Sequence, residues 1–144
     1  MEPRSPFRLA VPIQIRFRDT DAMRHVNNAV YLSYLEVARA AYWQRVFGLE
    51  SYDQVDFILA RTEIDFVAPV FVGDACEVWL RVNAIGRKSF RFAYEVHAGG
   101  RLAARAESVQ VMYDYATDTT KPMTEAQRAV ILAFEEPGAV ATGS

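Results

Sequence analysis

The chain has 144 residues, of which 51% are hydrophobic and 24% are charged, a composition typical of a folded globular protein. A formal net charge of −2 does not favour nucleic acid or a membrane as the main partner. The single cysteine, Cys76, excludes an intrachain disulfide and a cysteine-based zinc site, and two histidines do not predict a metal site.

The length suits one domain, which we expect to cover residues 1–136. Residues 137–144 are expected to form a disordered tail. The first ten residues contain charges and prolines but no apolar stretch, so they do not predict a signal peptide. No apolar run approaches the roughly 20 residues of a membrane span. The sequence therefore predicts a cytoplasmic protein.

The first predicted element is a half-buried strand at 11–17, because apolar and polar residues alternate there. A polar loop then leads to a helix predicted at 29–47, which contains no internal Pro or Gly and ends at Gly48. Apolar residues cover most of the circumference of this helix. Such a pattern is typical of a buried helix, so we expect other elements to wrap around it.

Four further strands and a second helix follow, and glycine-containing turns separate the strands. Short turns predict antiparallel neighbours. Thr124 and Gln127 form a capping box at the start of the last helix. The predicted strands are 57–67, 74–82, 88–97 and 102–113, and the predicted helix is 125–135. This order indicates an α+β fold, in which a five-stranded antiparallel sheet wraps around the long helix. The sheet leaves an open edge, so we expect a homo-oligomer, either a dimer or a tetramer.

A motif precedes the long helix: R-F-R-D-T-D-A-M-R-H-V-N-N-A-V-Y, from Arg16 to Tyr31. Its D-x-D-x-x-x-H-V-N-N-x-x-Y core resembles the signature of the 4-hydroxybenzoyl-CoA thioesterase-like branch of the hotdog superfamily. The passage F-V-A-P-V-F-V-G-D from Phe66 and the run R-K-S-F-R-F from Arg87 are similar to the same family. The resemblance implies a hotdog fold and an acyl-CoA thioester hydrolase.

By this resemblance the second aspartate of D-x-D, Asp21, does the chemistry, and the backbone N–H of Asn28 binds the thioester oxygen. The residue types suit these roles. Unpaired N–H groups and a partial positive charge at a helix start stabilise an oxyanion. A carboxylate can attack a carbonyl carbon or activate a water. The alternative role for Asp21 is a turn or helix cap, whereas Asp19 is expected to bond loop amides.

Glu36 is the rival catalytic carboxylate, because a second hotdog thioesterase lineage resembles this spacing on the helix. Its structural alternative is a salt bridge to Arg39, three residues on, or a bond to the D-x-D loop. His25 either orients Asp21 or the substrate, or is a loop histidine bonded to backbone.

The family resemblance also implies that Arg87, Lys88 and Ser89 contact CoA, with Arg61 as a further candidate. Arg and Lys are suited to phosphate, and the alternative is a solvated basic turn. CoA belongs to the substrate, so no separate cofactor is expected. We infer from the sequence that two copies share each site.

Two other functions fit the fold: a hotdog enoyl-CoA hydratase, and a non-catalytic acyl-CoA-binding module. In the hydratases four residues typically separate Asp from His, whereas three separate Asp21 from His25. The retained Asp21 disfavours the binding module.

Overall fold

A computed structural model describes residues 2–143. It contains five long strands, two two-residue strands and two α-helices. The elements in chain order are β1 Leu9–Ile13, α1 Tyr31–Phe47, β2 Phe57–Phe66, β3 Cys76–Ile85, β4 Ser89–Ala98, β5 Arg101–Asp114, β6 Thr119–Thr120, α2 Glu125–Phe134 and β7 Ala141–Thr142. The long strands form one antiparallel sheet in the order β1-β3-β4-β5-β2, and α1 packs on it. This arrangement confirms the predicted fold class.

The turn glycines and capping residues act as the sequence predicts. Gly48 ends α1 in a left-handed conformation with φ of 64°. The Thr124 side chain accepts a hydrogen bond from the Gln127 N–H, and the Gln127 side chain bonds back to Thr124 N, which completes the predicted capping box. No helix among residues 2–143 is long and apolar enough to cross a membrane.

The prediction that α1 is buried on all sides is wrong for the single chain. The face toward the sheet is buried and includes Tyr31, Leu35, Ala38 and Trp43. On the opposite face Leu32 and Val37 are each 47% exposed. The physical reason is that the sheet curves around one side of the helix only, so the apolar residues on its other side have no cover from this chain.

The first strand differs from its prediction, since it runs from Leu9 to Ile13 instead of 11–17. Val11 and Ile13 face the core as alternation requires, and β1 ends where Ile13 pairs with Cys76, the first residue of β3. Beyond that point no neighbouring strand continues the ladder. The chain leaves the sheet, and Phe17 enters a 3₁₀ turn where it is 84% exposed.

Glu135 ends α2 and joins it to α1 and β3. The Tyr42 hydroxyl and the Val82 N–H donate to one carboxylate oxygen, at 2.6 Å and 2.8 Å. Its other oxygen is buried without a partner among the described residues. Burial raises the pKa of Glu135, and this effect outweighs the two hydrogen bonds and the nearby arginines.

Residues 138–143 do not form the disordered tail that the sequence predicts. Val140 packs against the core, and Ala141–Thr142 pairs in parallel with the end of β3. The Gly143 N–H donates to the Ile85 carbonyl at 3.0 Å, and Arg81 donates to the Ala139 carbonyl at 2.9 Å. One apolar side chain and the free edge of β3 beyond β1 hold the segment, features that its composition does not reveal. Ser144 lies outside the described residues.

Candidate active site

Asp19, the first aspartate of the D-x-D motif, anchors the loop between β1 and α1. It is 3% exposed. Its Oδ2 accepts hydrogen bonds from the Arg16 N–H at 2.9 Å and the Tyr34 hydroxyl at 2.8 Å, while its carbonyl accepts from the Asn27 N–H at 2.8 Å. Burial alone would raise the pKa of Asp19, but these hydrogen bonds and the Arg16 charge hold it below its ordinary value. The expected structural role of Asp19 is confirmed.

Asp21 lies two residues further on and is exposed. The loop closes around it through hydrogen bonds from the Asp21 N–H to the His25 carbonyl and from the Arg24 N–H to the Asp21 carbonyl, at 2.8 Å and 2.9 Å. Its Oδ1 accepts from the Met23 N–H at 2.9 Å. The other oxygen, Oδ2, has no hydrogen-bond partner in the described chain. Asp21 therefore shapes its turn with one oxygen and leaves the other available.

A cavity of about 600 Å³ adjoins this carboxylate. Its walls combine the D-x-D loop with the segment before β3, and the lining includes Phe17, Thr20, Ala22, Phe71 and Val72. The cavity offers apolar and aromatic surface beside one open carboxylate oxygen.

The start of the helix lies in the same loop. Asn27 caps a 3₁₀ turn, Asn28–Val30, that leads directly into α1, and its side-chain oxygen accepts from the Ala29 N–H at 2.9 Å. The Asn28 N–H makes no hydrogen bond within residues 2–143. A free backbone N–H at the positive end of a helix is suited to hold a developing negative charge.

His25 contacts this loop through its backbone and packs through its ring. Its carbonyl accepts from the Asp21 N–H, and its imidazole lies edge-on against Phe71 with ring centroids 5.0 Å apart. The ring makes no hydrogen bond in the part of the chain that is described. The structure thus brings His25 and Asp21 together without a side-chain bond between them.

Glu36 lies on the exposed side of α1, about two turns beyond Asn28. It lines a second cavity of about 620 Å³ together with Val37, Ala40, Phe57, Leu59 and Tyr115. The salt bridge to Arg39, considered as its structural role, is not formed. Arg39 is instead 5% exposed and donates to the Tyr94 hydroxyl at 3.2 Å.

Three of the candidate CoA-binding residues, Arg87, Lys88 and Ser89, lie at the other end of the sheet from Asp21. The Tyr31 ring, at the start of α1, contacts Phe66 at the end of β2. Phe66 pairs with Ala104 in β5, and Ala104 pairs in turn with Val96 in β4. The seven residue steps back from Val96 to Ser89 span roughly 23 Å along β4. Arg87 is exposed and Lys88 donates to Thr120 at 3.3 Å. Arg61 lies on the edge strand β2 in an ion pair with Glu63. Within one chain, Asp21 therefore lies far from the basic run formed by Arg87, Lys88 and Ser89.

Sequence reasoning missed the polar residues beneath α1. Arg39 was considered only as a partner of Glu36, although its place on an apolar helix was an available signal. Ser108 and Gln110 sit in the apolar strand β5 and are both buried. Alternation along that strand could have identified them as inward-facing polar side chains.

Comparison with known proteins identifies the family. The model of the thioesterase-like superfamily matches residues 15–131. A 1,4-dihydroxy-2-naphthoyl-CoA hydrolase from Synechococcus elongatus is 33% identical over 116 residues, covering 77% of this chain and 85% of that protein. A protein of the same name from Nostoc punctiforme is 29% identical over 107 residues, covering 69% and 70%.

Solved structures agree with this family. A Thermus thermophilus thioesterase, crystallised with coenzyme A and zinc, is 38% identical and superposes with a TM-score of 0.83, covering 92% of this chain and 97% of that one. The predicted hotdog fold is therefore confirmed. On the match of the family model and these similarities, the chain belongs to the thioesterase-like superfamily.

Proposed function

We propose that this member of the superfamily hydrolyses an acyl-CoA thioester to a free acid and CoA. Relatives named as CoA-thioester hydrolases support the reaction, and the CoA-bound Thermus structure supports the carrier. The observation that carries the proposal is that one loop contains both an Asp21 oxygen and the Asn28 N–H, each without a hydrogen-bond partner among the described residues.

The proposed chemistry needs only these two groups. The Asn28 N–H binds the thioester oxygen and stabilises the oxyanion of the tetrahedral state. Asp21 either attacks the carbonyl carbon, in which case water later cleaves the resulting anhydride, or takes a proton from the water that attacks. In both routes the C–S bond breaks and CoA leaves as a thiolate. Because a thiol has a pKa of roughly 8.5, the leaving group needs no strong general acid.

In this proposal the CoA moiety is held by Arg87, Lys88 and Ser89, with Arg61 as a further contact. Basic side chains suit the phosphates of CoA. One chain places this run at the opposite end of the sheet from Asp21, and we infer that the basic run and the carboxylate of one site come from different copies. The site thus requires a homo-oligomer, a dimer or a tetramer.

Strand β2 supports the pairing of copies because it is an edge of the sheet with one side open. Leu59, Phe66 and Val67, on or next to this edge, are each 43–51% exposed. An open strand with apolar side chains is a template for a second copy. The predicted cytoplasmic location forms part of the same proposal.

A carboxylate-swap experiment tests the mechanism. Wild type, Asp21→Asn and Glu36→Gln are mixed with aromatic and aliphatic acyl-CoAs, and released thiol is measured. We expect Asp21→Asn to lower kcat by about 100-fold or more and Glu36→Gln to retain most activity, since each change keeps side-chain volume. Loss of activity in Glu36→Gln alone would reassign the carboxylate to α1.

The same assay separates the other two functions. Hydration of an enoyl-CoA without thiol release would identify a hydratase. Tight acyl-CoA binding with neither reaction would identify a binding module.

A further inference from the structure

The segment that connects β2 to β3 supports the D-x-D loop from outside the motif. The Val26 N–H donates to the Val70 carbonyl at 2.8 Å, and His25 and Phe71 form an isolated antiparallel bridge. The His25 carbonyl in turn accepts from the Asp21 N–H at 2.8 Å. The position of Asp21 therefore depends on how the connecting segment is held.

Arg101, the first residue of β5, ties together the two ends of a bend in this segment, residues 69–74. Its Nη2 donates to the Pro69 carbonyl at 2.7 Å and to Asp74 Oδ2 at 2.8 Å. The same Asp74 oxygen accepts from the Phe71 N–H at 2.9 Å, and the Asp74 N–H donates to the Phe71 carbonyl at 3.1 Å. Burial alone would raise the pKa of Asp74, but the Phe71 N–H and Arg101 hold it below its ordinary value. The 69–74 bend is thus closed by a charged pair.

The guanidinium of Arg101 also contacts an aromatic ring of the cavity wall. Its Cζ lies 5.6 Å from the centroid of the Phe71 ring, and the His25 imidazole lies edge-on against the same ring. Phe71 lines the cavity beside Asp21. Since a cation is attracted to an aromatic face, Arg101 restrains the side chain of Phe71 as well as its backbone.

The turn between β4 and β5 leaves room for the charged pair. The Gly99 N–H donates to the Ala75 carbonyl at 2.9 Å, so this turn lies directly against the connecting segment. A Cβ on Gly99 would lie 2.5 Å from Arg101 Nη1 and 3.0 Å from Asp74 Oδ1. With a φ of 58°, position 99 also has a left-handed backbone that favours glycine. A side chain there would displace the pair.

We propose that Arg101 is a positioning residue for the candidate active site: through Asp74 it holds the 69–74 bend, and with it the cavity wall and the loop that carries Asp21. This proposal rests on the thioesterase function proposed above. The side chains of Arg101 and Asp74 are 37% and 18% exposed, and ion pairs near the surface contribute little to stability. A misplacement of reacting groups by about 1 Å, in contrast, can cost roughly 100-fold in rate.

Thiol-release kinetics of Arg101→Met test this role. We expect kcat to fall about 10-fold or more. KM should stay within about threefold of the wild-type value, because the candidate CoA-binding residues of β4 lie at the opposite end of the sheet. Arg101→Lys should recover kcat to within about threefold of wild type, since both bonds come from one nitrogen, which an ammonium group can replace.

Arg91→Met is the matched control, because it breaks another ion pair between β4 and β5, that of Arg91 with Glu107. It should leave kcat unchanged. Urea unfolding should show midpoints within about 0.5 M of wild type for both Met variants. Loss of kcat in Arg101→Met that follows a large loss of stability, without recovery in Arg101→Lys, would overturn the positioning role.

A double-mutant cycle tests whether Arg101 acts through Asp74. Asp74→Asn removes the charge and keeps an oxygen that can accept from the Phe71 N–H. If Arg101 acts by this route, Asp74→Asn combined with Arg101→Met should lose about as much kcat as Arg101→Met alone. Losses that multiply would overturn the route.

Histidine NMR gives a readout that needs no catalysis. The chain has two histidines, His25 and His97, and a His25→Gln variant assigns their signals. In Arg101→Met the His25 signals should move toward their positions in the unfolded chain, because Phe71 is no longer held against the imidazole, whereas Arg91→Met should leave them in place. If wild type hydrolyses no acyl-CoA, the proposed function fails and this shift still tests the contact. Unmoved His25 signals, or normal kcat of Arg101→Met in an active enzyme, would overturn the proposal.

Discussion

Replacing Asn28 with proline removes a single backbone proton donor from the candidate site. The residue before a proline must be extended, and Asn27 is, with φ of −61° and ψ of 136°. Proline is also well tolerated at the first position of a helical segment. Because the Asn28 N–H makes no hydrogen bond within residues 2–143, the folded chain loses no internal bond. We therefore expect the free energy of unfolding to change by less than about 1 kcal/mol.

The effect on catalysis should be far larger. If this N–H holds the oxyanion, its removal costs about 3–4 kcal/mol of transition-state stabilisation, or roughly 10²- to 10³-fold in kcat. Thiol release under saturating acyl-CoA measures kcat, and urea unfolding measures stability. Asn28→Ala is the matched control, because it removes the side chain and keeps the donor. The assignment is refuted if a folded Asn28→Pro protein retains more than about a tenth of wild-type kcat, or if Asn28→Ala loses as much.

Two further predictions concern buried groups. The raised pKa of Glu135 means that the folded state holds its proton more tightly, so its stabilising contribution is present below the unfolded value of 4.5 and is lost as pH rises through the folded pKa. Urea unfolding at a series of pH values measures this effect. The free energy of unfolding of Glu135→Gln should rise relative to that of wild type as pH increases. If the two free energies change with pH in parallel, Glu135 does not titrate in this way. Burial, with smaller contributions from the charges of Asp74 and Glu77, raises the pKa of Cys76 to about 12. The native thiol should therefore resist a thiol-specific reagent near pH 8 and react fully after denaturation. Rapid labelling of the native protein would contradict the burial of Cys76.

Periodicity and capping residues were sufficient to predict most of the fold. Alternation located the strands, and the Thr124 capping box with the Gly48 stop located helix ends, because these signals are local in sequence. The end of β1 was not predictable in this way. It depends on where β3 begins to offer a partner to Ile13, a relation between distant segments that alternation along one strand does not encode.

The candidate site was predictable only in part. The D-x-D motif led to Asp21 and Asn28 because a loop and the helix after it are contiguous in the chain. The pairing of Arg39 with Tyr94 spans 55 positions, so the nearer Glu36 was the only partner that helical spacing could offer. The exposure of Leu32 and Val37 in α1 was not predictable either, because an apolar helix face that its own chain covers has the same sequence pattern as one that it leaves exposed.

The two aspartates of the motif are separated by one residue, yet Asp19 is buried and Asp21 is exposed. Asp19 is clamped between Arg16 and Tyr34 beneath the surface, while Asp21 projects outward with one oxygen unengaged. Asp19 fixes the backbone that carries Asp21. In the proposed mechanism, the Asp21 carboxylate therefore needs little reorganisation when a ligand binds. One carboxylate cannot both hold the loop in place and keep an oxygen free for a ligand. Here Asp19 does the first and Asp21 does the second.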